Sequence, residues 1–404
     1  MSKYINLSLR VFASGAKFLY LLLITRYAEW SDVGLFGVLS AMVSLIVLIV
    51  GVDFYVYANR ELMLNVKNKG TIITTQAGVY LSIYIICAPI IILYYSWFTN
   101  FPTDFAYMFY IWVVLEHLNI EIYRALIALE KQLRASIILC IKQILPVVIL
   151  LFTLFFTNYA IDYSSAIIIL FLPLLVAGVL GIYFLQIDRL NLDCIDLSFV
   201  KGGIRISIIM LISTFFLRYI STMDKTFVLS TYGGEKAGIY TFLFSISMII
   251  SVVYDAVFSS YIVQKLVRLG GATDPHEFHR YFKEISWQSM KILTISFFVV
   301  SVIIYPIIVI LEKPEIFLYL KEYVALCALA LAFCHLSLTS LGLIALKRDF
   351  VNLLTNLLMF LVFIVITNMN SSNVDLLDFI LILTSIYLVA IFLKNQLVKF
   401  YAFS

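Results

Sequence analysis

The chain has 404 residues, 63% of them hydrophobic and 13% charged, with a mean hydropathy of +1.03. Soluble domains carry roughly 25% charged residues, so the composition excludes that class and marks a polytopic membrane protein. The net charge of +4 comes from dispersed basic residues, which excludes a nucleic-acid-binding patch.

An apolar run of about 20 residues crosses a bilayer as a helix. In chain order the sequence predicts about twelve spans: 8–26, 34–58, 72–98, 104–129, 135–157 and 164–186, then 206–231, 236–262, 288–311, 322–346, 350–368 and 376–396. The N-terminal run carries Lys3 and Arg10 and lacks a small-x-small cleavage site, so it reads as the first span and not as a removed leader. Lys and Arg favour the cytoplasmic side. With the N-terminus inside, nineteen basic residues fall on that side and only Arg26, Lys236, Lys313 and Lys321 fall outside. Both termini are therefore expected in the cytoplasm, and the outer loops are short.

Charges inside spans are informative, because one at the bilayer centre costs ~2.5–3.5 kcal/mol on insertion scales. In the first span Arg10, Ser14 and Lys17 share one helical face, with Lys17 near the middle. The second span places Asp53, Tyr57 and Arg60 on the same spacing. The fourth, FAYMFYIWVVLEHLNIEIYRALIAL, puts His117, Glu121 and Arg124 on one face, with Tyr110 a heptad earlier and Glu116 at its edge. Arg124, and Lys142 at the start of the fifth span, are placed to snorkel. In the seventh span Thr214, Arg218, Ser221 and Lys225 form a polar face, while Asp224 points about a third of a turn away, as a structural partner for a neighbouring helix. Asp255 follows in the eighth span and His335 lies near the centre of the tenth.

Between the eighth and ninth spans, DPHEFHRYFKEISWQSMK reads as an amphipathic surface helix. Asp274 caps it, and Phe278, Phe282, Ile285 and Trp287 lie along the membrane interface. His276 and His279 read as its wet face and not as a metal pair. The five cysteines make no CxxC pair, so neither a zinc site nor a disulfide framework is expected. No phosphate loop, HExxH or GxSxG occurs either, so energy is expected from a gradient or from substrate turnover.

The central charges are mainly basic. A water-filled cavity with cationic walls suits an anion such as phosphate, and a carboxylate beside a histidine suits proton movement. The candidate cavity residues are Lys17, Asp53, Arg60, His117, Glu121, Arg124, Arg218, Lys225 and His335. Ion pairs that only tie helices together are the bland alternative.

The two halves resemble each other. YAEWSDVGLFGVLSAMVSLIVLIV from Tyr27 aligns with YGGEKAGIYTFLFSISMIISVVYD from Tyr232, with a one-residue slip in the turn. LIALEKQLRASIILC from Leu126 aligns with LIALKRDFVNLLTNLL from Leu343. The expected architecture is all-α, with six-helix lobes over 1–190 and 191–404 related by a pseudo-twofold along the membrane normal.

LLLITRYAEWSDVGLFGVLS and MDKTFVLSTYGGEKAGIYTFLFS are similar to a helix, turn, Gly-hydrophobic-aromatic signature. On these segments the chain resembles the Wzx-type polysaccharide flippases of the multidrug/oligosaccharidyl-lipid/polysaccharide exporter superfamily. The resemblance implies a multi-pass protein of the bacterial cytoplasmic membrane. It would move undecaprenyl-diphosphate-linked oligosaccharide repeat units to the outer leaflet by alternating access, for O-antigen or a related polysaccharide. Lys17 and Arg218 would then attract the diphosphate, and Glu121 and His117 would serve ion coupling or sugar contacts. Membrane lipid, a polymerase and other polysaccharide-assembly proteins are the implied partners. No cofactor is implied beyond a proton or sodium gradient for some members. The alternatives are a cation-coupled drug or organic-ion exporter of the same superfamily, which would favour an acidic cavity, and a membrane polysaccharide polymerase, which would need a large external loop.

Overall fold

The computed structural model describes residues 2–64, 69–98, 103–156, 160–186, 197–254, 262, 265–266, 269–270, 275–369 and 374–403. Among them the chain forms thirteen α-helices and no strand. The first seven are α1 (Ser2–Tyr27), α2 (Trp30–Gly51), α3 (Phe54–Leu64), α4 (Lys69–Phe98), α5 (Thr103–Ala128), α6 (Gln132–Phe156) and α7 (Tyr163–Leu185). Then come α8 (Leu197–Ser247), α9 (Ile249–Tyr254), α10 (Pro275–Leu311), α11 (Leu320–Ala345), α12 (Asp349–Met369) and α13 (Leu376–Ala402).

Among the described residues, eleven helical segments are long and apolar enough to cross a membrane. One of them, Leu211–Tyr254, has 44 residues. At the helical rise that is about 66 Å, twice the thickness of a bilayer's hydrocarbon core. Gly233, at φ 86° and ψ 175°, breaks it, so the segment holds two passes. The chain is thus an all-α integral membrane protein of about twelve spans. Large apolar side chains cover its outer faces, Phe155, Val309 and Leu318 among them, as lipid contact requires.

The helices pack into two compact units: 1–28 with 38–215, and 29–37 with 216–404. By packing, the division falls at 215/216, inside α8, whose first part packs with the first unit. There Gly203 lets Phe54 and Tyr57 approach closely, and Phe199 meets the first ring edge-on and the second at a tilt.

In the first unit α1, α5, α6 and α7 are joined by polar contacts. Arg10 donates to Ser136 (3.3 Å), the Tyr20 hydroxyl to the carbonyl of Ala166, and Asn119 to that of Leu174 (2.9 Å). Lys142 pairs with Glu116 at 2.5 Å. The span expected over 34–58 is broken. Val52 and Asp53 both take positive φ (49°), ending α2 and starting α3.

In the second unit the start of α2 crosses α8 at backbone contact. A Cβ on Gly34 would lie 2.6 Å from the Gly234 oxygen, and one on Gly238 would lie 1.9 Å from the Trp30 oxygen. These are the glycines of the matched repeat segments. The Trp30 indole donates to Glu315 at 2.8 Å, and the Lys313 amine lies 4.3 Å above its ring. The surface helix expected from Asp274 is not separate: from Pro275 it runs unbroken into the next span as α10. Phe278, Phe282 and Ile285 are buried in the unit, and only Trp287 is exposed. Asp274 itself lies outside the described residues.

The second repeat match has a structural counterpart. At the end of α5 the Lys131 N–H bonds the Leu126 oxygen (2.8 Å) and the Glu130 N–H bonds that of Ile127 (3.0 Å), with Glu130 at φ 60°. At the end of α11 Arg348 bonds Leu343 and Lys347 bonds Ile344, both at 2.9 Å, with Lys347 at φ 58°. Both are Schellman motifs with a non-glycine residue in the left-handed position.

Candidate functional site

The densest polar cluster in a span is built on α5, where one helical face carries His117, Glu121 and Arg124. Helix α4 meets it with Gln76, Tyr80 and Tyr84, which recur every four residues and so lie along one face. The α2–α3 break supplies Gly51 and Asp53.

Glu121 is 6% exposed and its carboxylate is fully engaged. Oε1 accepts from Arg124 at 2.6 Å, and Oε2 accepts from Tyr80 (2.6 Å) and Gln76 (3.0 Å). Gln76 also donates to the Tyr80 hydroxyl at 2.9 Å, closing a ring of three groups. Arg124 rests 3.5 Å from the centroid of Tyr55 and is the one partly exposed ionic group of this ring. A charge this deep persists only with such partners, since desolvation otherwise outweighs the ion pair.

His117 is fully buried. Its Nδ1 lies 2.5 Å from the Tyr84 hydroxyl, and the edge of its ring meets Tyr80 at 4.7 Å between centroids. Among the described residues Nε2 has no hydrogen-bond partner, and it stands 3.9 Å from Glu121 Oε1. The ring fits because residue 51 is glycine: a Cβ there would lie 2.8 Å from Nε2. Asp53, 5% exposed, adds a second negative field at Glu121. The cluster can therefore hold a carboxylate and an imidazole in reach of one proton or small cation, with Arg124 at its rim.

Of the nine residues expected to line a cavity, the first unit brings four together: Asp53, His117, Glu121 and Arg124. Arg60, two turns along α3 from Asp53, and Lys17, on α1, are exposed on the unit's surface and outside this cluster. In the second unit Arg218 is exposed on α8. Lys225 is not an open wall charge. It is 7% exposed, 3.3 Å from Asp224 Oδ1, and its amine lies 3.9 Å from the centroid of Phe244. Asp224 also accepts from Tyr240 at 2.7 Å, so the two residues expected to point apart form one buried pair. The flexible lysine stem lets Nζ reach both Asp224 and the Ser221 carbonyl one turn earlier, at 3.2 Å. His335 is half-buried on α11, with Nδ1 unbonded among the described residues. Asp255 lies outside the described residues.

Sequence reasoning missed Gln76, Tyr80 and Tyr84. Their signal is the stripe in QAGVYLSIY, faint in a chain with 26 tyrosines.

No protein-family model matches the chain, and no curated protein sequence matches it. Solved structures do. The inward-facing conformation of a multidrug resistance MATE family transporter of the MOP superfamily superposes with a TM-score of 0.78 at 10% identity, over 99% of this chain and 98% of that one. An outward-facing conformation of such a transporter gives 0.64 at 12% identity, over 98% and 93%. A MATE in complex with MaL6 gives 0.63 at 11% identity, over 99% and 98%. The chain therefore has the fold of MATE transporters of the MOP superfamily.

Proposed function

We propose that the chain is a cation-coupled exporter whose Glu121–His117 cluster takes up and releases the coupling proton or sodium ion. One observation carries this reading: a buried carboxylate stands beside an imidazole nitrogen that has no hydrogen-bond partner among the described residues. A cluster serving only to tie helices would satisfy that nitrogen. Small organic ions or drugs are the cargo suggested by the fold likeness, since the superposed structures are multidrug transporters. Ion-driven flux in reconstituted vesicles is the test. Glu121→Gln keeps the shape of the site but removes the charge, and is expected to abolish the ion dependence of transport. Full ion-driven flux in that variant would overturn the proposal.

A second reading concerns cargo. Exposed Lys17 and Arg218 favour an anionic substrate, and the sequence resemblance makes it a diphosphate-linked oligosaccharide lipid. The chain would then be a flippase of the bacterial cytoplasmic membrane, working with a polysaccharide polymerase. In a strain lacking the native gene, Lys17→Ala and Arg218→Ala are expected to reduce surface polymer at unchanged protein level. Normal polymer in both, together with drug resistance conferred by the native chain, selects the first reading.

A further inference from the structure

The second unit contains a buried amine that the transport reading does not use. Lys394, on α13, is 0% exposed. Lysine is almost never fully buried unless its charge is paired. Here the partners are neutral. Nζ donates to Ser340 Oγ on α11 at 2.8 Å, and to Asn352 Oδ1 and Asn356 Oδ1 on α12 at 2.7 and 2.6 Å. Among the described residues no carboxylate lies within ion-pair distance of this amine.

The donor count matches the charged form. An ammonium has three N–H groups and no acceptor, and three oxygens surround it. A neutral amine has two, and its lone pair would face an oxygen lone pair. Each oxygen is available to accept. The Ser340 hydroxyl spends its own proton on the Leu336 carbonyl (2.9 Å). Asn352 and Asn356 stand one turn apart, so both side chains reach one point. Neutral oxygens converging on a point from separate helices are what replaces the hydration shell of a monovalent cation in a protein.

We propose that this is a monovalent-cation site and that Lys394 is its permanent occupant. The ammonium stands where a free ammonium, potassium or sodium ion would otherwise bind, and it ties α11, α12 and α13 together without an external ion. This goes beyond the transport reading and does not depend on it.

The test uses the full chain in detergent, with thermal unfolding at fixed ionic strength in choline, ammonium, potassium or sodium chloride. Lys394→Ala keeps the oxygens and vacates the amine's space. Its midpoint should fall by several degrees in choline and recover saturably in at least one of the three small cations, beyond any ion effect on the native chain. Lys394→Met fills the space without charge and should fall equally in all four salts. No cation-specific recovery in Lys394→Ala, or equal recovery in Lys394→Met, would overturn the proposal. If Lys394→Ala does not fold, Asn352→Asp in the native background decides. A carboxylate beside a resident ammonium should leave the midpoint unchanged or raise it, whereas a fall of several degrees would show an uncharged amine and refute the site.

Discussion

Gly51 and His117 show how narrow the tolerances of the cluster are. The imidazole is held at Nδ1 by Tyr84 and along its edge by Tyr80, so it cannot swing aside to admit a methyl group 2.8 Å from Nε2. Gly51→Ala should cost ~1–3 kcal/mol through overpacking and displace the imidazole from Glu121. Thermal unfolding and ion-driven flux measure the two effects, and flux should fall further than stability alone explains. Tyr80→Phe tests the other side of the carboxylate. It removes a hydroxyl donor to a charged acceptor, a bond worth ~1.5–3 kcal/mol, and its effect should largely vanish in a Glu121→Gln background. The α5 face of this site was legible in the sequence, because charges at i, i+4 and i+7 stand out in an apolar helix. The α4 face was not, because a tyrosine in a span reads equally as packing. Lys394 was hidden differently: near the end of the last span it reads as a topological charge, and only tertiary structure brings Ser340, Asn352 and Asn356 around it.

At the scale of elements, the repeat is visible in how helices end. LIALEK and LIALKR close α5 and α11 with the same pair of backbone bonds, and each puts a side-chain-bearing residue into the left-handed region. That conformation costs roughly 1–2 kcal/mol for a residue other than glycine. Glu130→Gly and Lys347→Gly should each therefore stabilise the protein by about 1 kcal/mol, read as a rise in the unfolding midpoint. A clear loss at either position would mean that its side chain makes a contact worth more than the strain. The matched Tyr27 and Tyr232 segments carry another lesson. Their glycines read as signature residues from the sequence, and the structure supplies the reason, since Gly34 and Gly238 let two helices touch through their backbones. By contrast, the break at Val52–Asp53 had only Gly51 as its sequence signal, and a lone glycine in an apolar run reads equally as packing. Val52 and Asp53 both sit in the left-handed region directly after Gly51, against which His117 packs.

For the whole molecule, topology turns on one residue. If Leu211–Tyr254 crossed once, every later loop would exchange sides, and nine basic residues from Lys265 to Lys399 now counted inside would lie outside. The bias of Lys and Arg toward one side would then collapse. Two passes broken at Gly233 preserve it, so helix geometry and charge distribution agree by independent physics. The prediction is that Lys236 and Lys347 lie on opposite sides of the membrane, with Lys347 and both termini in the cytoplasm. Single cysteines placed at these positions in a chain freed of its native cysteines provide the check. Lys236→Cys should react with a membrane-impermeant thiol reagent in intact cells, and Lys347→Cys only after permeabilisation. Equal labelling of both in intact cells would make the segment a single pass and would move every later loop to the other side. The even span count that follows from Gly233 would then fail.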